Sequence, residues 1–77
     1  MASDLSQVKP GQKAQVLRLH GGQGEVDRLY AMGIRPGAVV TVKSAQPLHG
    51  PVVIKSGRGQ WALGHGLAKK ITVEVIA

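Results

Sequence analysis

Three histidines are the residues of this chain with the widest chemical repertoire. His20, His49 and His65 each stand next to a glycine, and we expect all three in loops. Imidazole nitrogens bind Fe²⁺ and Zn²⁺, but a metal site needs converging ligands and groups that orient them. No two of these histidines share a short spacing in the sequence, and no acid flanks any of them. The sequence therefore predicts three surface histidines and no metal site.

Catalytic chemistry is not indicated by the other polar residues. Ser44 and Ser56 would need a histidine and an orienting acid to act as nucleophiles, and their sequence neighbours provide neither. Residues 57–62 match the dinucleotide fingerprint G-x-G-x-x-A, but that motif must lead into a helix. Here a strand-like segment follows, so the match predicts a hairpin turn. We expect no enzymatic activity and no cofactor.

Charge is the strongest compositional signal. The chain has 10 Lys and Arg against 4 Asp and Glu, a net charge of +6, and residues 28–73 contain no acid. Such a surface favours nucleic acid, anionic lipid or an acidic protein face, although scattered lysines also serve solubility alone. The aromatics Tyr30 and Trp61, both expected in the core, are too few to stack successive bases. Nucleic acid is therefore not the expected partner.

Length and composition predict one small soluble domain. A chain of 77 residues buries only about 60% of the surface that it exposes when unfolded. It contains no cysteine, which excludes disulfides and thiolate metal sites and makes a reducing cytoplasm the expected compartment. The sequence shows neither a secretory signal nor an apolar run of membrane length. We expect a single domain over residues 1–77, with its core over about 5–76.

Glycines and prolines divide the chain into short segments, most of which are strand-like. β-Branched and alternating residues predict five strands, and apolar residues at i, i+3 and i+4 predict one helix. The predicted strands are 14–19, 39–43, 52–55, 60–63 and 71–76, with a helix at 25–32 and a helical turn at 64–69. This order predicts a mainly β fold, a small five-stranded SH3-like barrel with a short helix between its first two strands and a one-turn helix before the last. Broken alternation at Val16 and Leu17 predicts a bulge.

The end of the predicted helix carries specific local signals. Gly33 stands where a left-handed residue ends a helix, and Ile34 after it can fold back onto the last turn. Residues 35–38 have proline and glycine at the positions that suit a tight turn. The buried face of the helix is predicted to consist of Val26, Leu29 and Tyr30.

A small protein-binding patch is predicted beside this corner. Met32 and Ile34 flank the glycine, and we expect at least one of them to stay outside the core. An exposed apolar side chain next to Arg28 and Arg35 has the composition of such a patch.

Residues 28–37, RLYAMGIRPG, resemble the motif R-L-x-x-[ML]-G-[IL]-x-P-G of the FeoA family of ferrous iron transport accessory proteins. Residues 5–12, 45–51 and 71–73 agree with the family too, so the resemblance extends over roughly residues 5–75. It implies an SH3-like barrel with a helical insertion. It also implies a small cytosolic adaptor whose partner is FeoB, the membrane protein that imports Fe²⁺ and carries a cytoplasmic GTP-binding domain.

The resemblance implies a docking surface and lends no catalytic, cofactor-binding or metal-binding residues. We expect the protein to bind the cytoplasmic part of the transporter, to modulate its assembly or activity, and to meet the membrane only through it. The expected contacts are Arg28, Met32, Gly33, Ile34, Arg35, Pro47, Leu48 and His49. Many members carry Gly-Asp where this chain has His49 and Gly50, and Leu-Arg where it has Leu63 and Gly64. The direction of the effect and the oligomeric state are left open.

Two other functions stay open at this point. Small basic SH3-like barrels also bind nucleic acid, and residues 11–24 faintly resemble the loop-rich segment of ribosomal and transcription KOW modules. The chain could also be a relative of the C-terminal SH3-like domain of metal-dependent repressors, with a proline-rich segment of a regulator as its partner. Salt-sensitive binding in a gel shift would indicate the first alternative, and a peptide titration the second.

Overall fold

A computed structural model describes residues 2–57 and 59–77 of the chain. Its strands are β1 (Ala2–Asp4), β2 (Lys13–Leu19), β3 (Val39–Ala45), β4 (Val52–Ser56), β5 (Gly59–Leu63) and β6 (Ile71–Val75). They form one antiparallel sheet in the order β1-β6-β2-β3-β4-β5. A 3-10 turn covers Leu5–Gln7, and the helices are α1 (Gln23–Ala31) and α2 (His65–Ala68). Within the described residues, neither helix has the length and apolarity to cross a membrane.

The mainly β prediction is confirmed, and the sheet has six strands where five are predicted. The additional strand, β1, pairs with β6 so that Ala2 lies opposite Glu74 and Asp4 opposite Thr72. Three residues without apolar alternation give no strand signal of their own, and pairing with β6 makes them a strand. The other predicted elements are present with ends shifted by one or two residues. Arg58, part of the predicted hairpin turn, lies outside the described residues.

The core lies between the inner face of the sheet and the helices. Alternate residues of neighbouring strands point inward, so Val40, Val42, Val52 and Ile54 are buried. The other buried apolar residues are Leu5, Val8, Ala14, Val16, Leu29, Ile34, Leu63, Ala68, Ile71 and Val73. Each large side chain among them gains about 1.5–3 kcal/mol by leaving water. Against β6, the register of β2 shifts between Val16 and Arg18, which confirms the predicted bulge.

The two aromatic residues predicted in the core have different surroundings. Tyr30 is 45% exposed, so the prediction is wrong for this residue. Its neighbour Leu29 takes the inward position, and Tyr30 is turned by about 100° around the helix from it. Trp61 is partly buried and packs against the core. Its indole covers Gly59, where a Cβ would lie 2.7 Å from the ring.

The C-terminus of α1 is a Schellman motif. Gly33 has φ +82°, its N–H donates to the Tyr30 carbonyl at 3.0 Å, and the Ile34 N–H donates to the Leu29 carbonyl at 2.8 Å. The side chains of Leu29 and Ile34 both enter the core. The next turn closes through the Ala38 N–H, which donates to the Arg35 carbonyl at 2.9 Å. Both predictions for this corner, the glycine cap and the turn over 35–38, are confirmed.

Candidate functional site

The residues expected to dock lie at opposite ends of the β3–β4 hairpin. Gly33, at the corner that leads into β3, faces the end of β4, since a Cβ there would lie 3.4 Å from the Ser56 hydroxyl. The loop over 46–51 instead joins the end of β3 to the start of β4. β3 has seven residues and therefore spans about 20 Å. The fold keeps the two groups of predicted contacts apart.

Four side chains near the first of these ends define what we call the corner surface: Arg28, Tyr30, Met32 and Arg35. The two arginines and Tyr30 are exposed, and Met32 is partly buried against the core. The Arg35 guanidinium lies 5.7 Å from the centre of the Tyr30 ring, which is a cation–π distance. The surface therefore combines positive charge with a partly exposed aromatic ring.

Ile34 does not belong to the corner surface. Its side chain is completely buried, because the Schellman motif turns the residue after the glycine onto the last turn of the helix. The expectation that Ile34 contacts a partner is therefore wrong. Gly33, without a side chain, can offer only its backbone.

The second group of predicted contacts forms a tight turn. The Gly50 N–H donates to the Pro47 carbonyl at 3.2 Å, and around this turn the Gln46 N–H donates to the Pro51 carbonyl at 3.1 Å. The two central residues, Leu48 and His49, have φ +57° and +62°. Positive φ at both central positions characterises a type I′ turn, which asparagine, aspartate and glycine normally occupy. A left-handed backbone costs other residues about 1–2 kcal/mol each.

Leu48 stands at the tip of this turn and is 97% exposed. It thus combines an unfavourable backbone conformation with an apolar side chain that gains nothing from the core. Residues held in such conformations cluster at functional sites, where the strain serves the site rather than the fold. We call Pro47, Leu48 and His49 the loop surface.

Two stacked histidines join the loop surface to α2. The rings of His49 and His65 are stacked, with centroids 4.4 Å apart and planes inclined by 12°. The two residues are far apart in the sequence, and no sequence signal indicated the pairing, because it depends on how α2 packs beneath the loop. His20 lies elsewhere, and its Nε2 is 2.9 Å from the Thr72 hydroxyl.

The stacked histidines form part of a pocket of about 380 Å³. Its walls come from the β3–β4 loop, α2 and the 3-10 turn, and none of the described lining residues is acidic. They are Ser6, Gln7, Ala45, Gln46, Leu48, His49, Gly50, Val52, His65 and Lys69. Among the described residues, no group of three or more histidine, cysteine or acidic side chains is placed to hold a metal ion.

The carboxylate of Glu25, in the first turn of α1, forms an ion pair and a hydrogen bond. Lys70 Nζ lies 2.8 Å from Glu25 Oε2, and the Gly22 N–H donates to Glu25 Oε1 at 3.1 Å. The hydrogen bond from Lys70 lowers the pKa of Glu25, and the Gly22 N–H lowers it further. This carboxylate caps the start of α1 and ties it to the segment between α2 and β6.

The serines considered as nucleophiles have no catalytic surroundings. Ser56 is 3% exposed, and its hydroxyl has no hydrogen-bond partner in the described part of the chain. Ser44 is partly buried next to the shift of register between β3 and β4. In the described residues neither of them is hydrogen-bonded to a histidine.

Comparison with known proteins identifies the family. Residues 4–75 match the FeoA domain. This chain belongs to the FeoA family. A FeoA relative from Methanocaldococcus jannaschii, named "Putative Fe(2+) transport protein A", is 39% identical over 70 residues, which are 91% of this chain and 83% of the relative.

Solved structures show that the FeoA fold is shared throughout the chain. A crystal structure of an iron uptake regulatory protein (FeoA) is 36% identical, covers 99% of this chain and 100% of its own, and has a TM-score of 0.91. FeoA of Stenotrophomonas maltophilia, complexed with zinc and described as a prokaryotic SH3 domain protein, is 24% identical with a TM-score of 0.79. It covers 92% of this chain and 88% of its own. The SH3-like prediction is thereby confirmed.

The likeness extends to transcriptional regulators in fold alone. A manganese-dependent transcriptional repressor superposes with a TM-score of 0.87 at 18% identity, and the match covers 97% of this chain but 42% of the repressor. In this chain His49 has φ +62°. Here a histidine occupies a backbone conformation that glycine adopts without strain.

Proposed function

We propose that this FeoA protein is a non-enzymatic cytosolic accessory protein of ferrous iron transport. It binds the cytoplasmic part of a FeoB-type transporter and modulates the assembly or activity of that transporter. Family membership and the name of the relative from Methanocaldococcus jannaschii support the link to iron transport. The observation that carries the docking step is Leu48, 97% exposed on a turn of unfavourable backbone conformation.

Leu48 is suited to enter a pocket on a partner. Full burial of a leucine side chain stabilises by about 1.5–3 kcal/mol. The free protein lacks this contribution from Leu48, because the side chain is exposed. The Leu48 side chain is almost fully exposed, and His49 beside it on the turn stacks on the ring of His65. The strain therefore pre-organises the contact before the partner arrives.

Charge favours an acidic surface on the transporter. Residues 28–73 contain no acid, and Lys69 lies in the wall of the pocket beside the loop surface. Complementary charge raises association rates and fixes orientation more than it raises affinity. Docking should therefore weaken with salt mainly through a slower association.

The corner surface is the second proposed contact, through Arg28, Met32, Arg35 and the Gly33 backbone. Because it lies at the other end of the β3–β4 hairpin, a partner must be large to reach both surfaces. An exchange of Arg35 for glutamate, Arg35→Glu, leaves the Schellman motif intact. It should slow association if the corner surface takes part, and unchanged kinetics would remove this surface from the proposal.

Amide NMR tests which surface docks. The labelled protein is titrated with the soluble GTP-binding domain of its transporter, with and without nucleotide. The proposal expects shifts at residues 46–50, lost in Leu48→Ser and retained in Val39→Thr. Val39 is 46% exposed at the start of β3, so its exchange removes exposed apolar surface away from the loop.

Two results would contradict the docking proposal. Chemical-shift changes confined to residues outside 46–50 would show that the partner does not bind the loop surface. The nucleic-acid alternative would be favoured if neither the GTP-binding domain nor the detergent-solubilised whole transporter caused chemical-shift changes, and if the protein bound duplex DNA in a salt-sensitive way.

A further inference from the structure

The pocket beneath the loop surface holds an unusual set of polar groups. Two imidazoles, the Lys69 ammonium group and the side-chain amides of Gln7 and Gln46 line it. All of these can donate hydrogen bonds. The hydroxyl of Ser6 donates to the carboxylate of Asp4, the last residue of β1. The described lining contains five donor side chains for a ligand and no carboxylate.

The stacked rings do not suit one shared metal ion. The lone pair of an imidazole nitrogen lies in the plane of its ring, and the two planes are nearly parallel, 12° apart. Half of the 4.4 Å between the centroids is as long as a whole metal–nitrogen bond of about 2.1 Å. An ion between the rings would lie far outside both planes. Two N–H groups in parallel planes can instead reach two different oxygens of one anion.

The charge of the residues that line the pocket also favours an anion. The titratable or charged groups that line the pocket are His49 from the loop and His65 and Lys69 from α2 and its end, while the strands and the 3-10 turn contribute uncharged residues. Each imidazole has at least one N–H donor, and the Lys69 ammonium group carries a positive charge. Charge-assisted hydrogen bonds to oxyanions are about twice as strong as neutral ones.

We infer that this pocket is an oxyanion site, which binds a phosphate or carboxylate group between the histidine pair and Lys69. The inference goes beyond the docking proposal, and its test needs no transporter. The anion can come from a free phosphate compound or from the carboxylate of an acidic side chain, since both present two or more oxygens to the same donors.

NMR of the labelled full chain tests the inference with two probes, inorganic phosphate and N-acetylaspartate, at constant ionic strength maintained with chloride. We expect saturating shifts of His49, His65, Lys69 and Gln46 with a Kd on the order of 1 mM. His20, which lies outside the pocket, should show no saturating shift.

Two variants remove one imidazole ring and the ammonium charge without disturbing the turn. In His49→Asn the new residue tolerates the left-handed backbone, and Lys69→Gln keeps an exposed polar side chain. Each should weaken phosphate binding at least about tenfold, while His20→Gln, the matched control for loss of an imidazole, should not change it. Amide dispersion of each variant verifies that it is folded.

The two probes distinguish the sources of the anion. Saturation by phosphate alone identifies a free phosphate compound, and saturation by N-acetylaspartate as well identifies a side-chain carboxylate. Non-saturating shifts spread over all lysines would overturn the inference. So would equal phosphate binding by wild type and His49→Asn, or shifts of the two histidines with Zn²⁺ but with neither anion.

Discussion

The α1 corner and the β3–β4 loop both require left-handed backbone, and they meet that requirement in opposite ways. At the corner, Gly33 and Gly37 take the positive φ angles, and the apolar residue between them, Ile34, is buried. In the loop, a leucine and a histidine take them, and Leu48 is almost fully exposed. Folding alone explains the corner, whereas the loop opposes folding and therefore requires another explanation.

The comparison also shows what the most recognisable motif does. Within residues 28–37, Leu29 and Ile34 fill the core, Gly33 ends the helix, and residues 35–38 form the turn into β3. These positions maintain the architecture of the FeoA fold. We expect binding properties at the loop surface instead, where Leu48 and His49 have left-handed backbone.

The largest expected difference between the two regions is in the free energy of unfolding lost when a leucine in each is replaced by alanine. Leu29→Ala should lower the free energy of unfolding by about 2–5 kcal/mol, because it removes a wholly buried side chain. Leu48→Ala should change it by less than about 0.5 kcal/mol, because that side chain is exposed. Urea denaturation measures both values. Similar losses in the two variants would show that Leu48 packs against the protein.

Glycine exchanges test the left-handed corner. Gly33→Ala should cost about 1–2 kcal/mol, because its φ is +82° and the new Cβ would approach Ser56. Gly24→Ala, inside α1 with open space around it, should instead stabilise the protein by about 0.5–1 kcal/mol. Thermal unfolding shows whether each of the two exchanges lowers or raises the stability. A neutral Gly33→Ala would mean that the corner tolerates a different conformation.

The strained backbone of the loop predicts that a suitable exchange there increases stability, by less than Leu29→Ala or Gly33→Ala reduces it. Leu48→Asn should raise the free energy of unfolding by about 0.5–1 kcal/mol, because asparagine accepts a positive φ more readily than leucine. Chemical denaturation at pH 7 detects the change. A loss of stability would show that the turn is not strained at this residue.

The smallest expected effect is the pH dependence from Glu25. Its pKa is lowered by Lys70 and the Gly22 N–H, so its contribution is present above the ordinary carboxylate pKa and is lost as pH falls through the lowered value. The difference in melting temperature between wild type and Glu25→Gln should thus be positive at pH 7 and shrink as the pH falls through the lowered pKa of Glu25. A difference that does not depend on pH would point to packing instead.

Local rules were sufficient for the corner and failed for the loop. The glycine cap and the turn over 35–38 follow from backbone preferences of single residues, which the sequence displays. β1 depends on pairing with β6, and the position of Tyr30 depends on which side of α1 meets the sheet. The contact between His49 and His65 joins the β3–β4 loop to the start of α2, which only the folded chain brings together. Those features depend on tertiary structure, so no local sequence pattern predicts them.

The most direct test of the account measures docking and stability of one variant, Leu48→Asn. The affinity for the soluble transporter domain is measured by calorimetry, and the free energy of unfolding by denaturation. The account predicts a protein that is at least as stable as wild type and binds at least about tenfold more weakly. Unchanged affinity in the folded variant would contradict the claim that the exposed leucine of the loop surface is the docking contact.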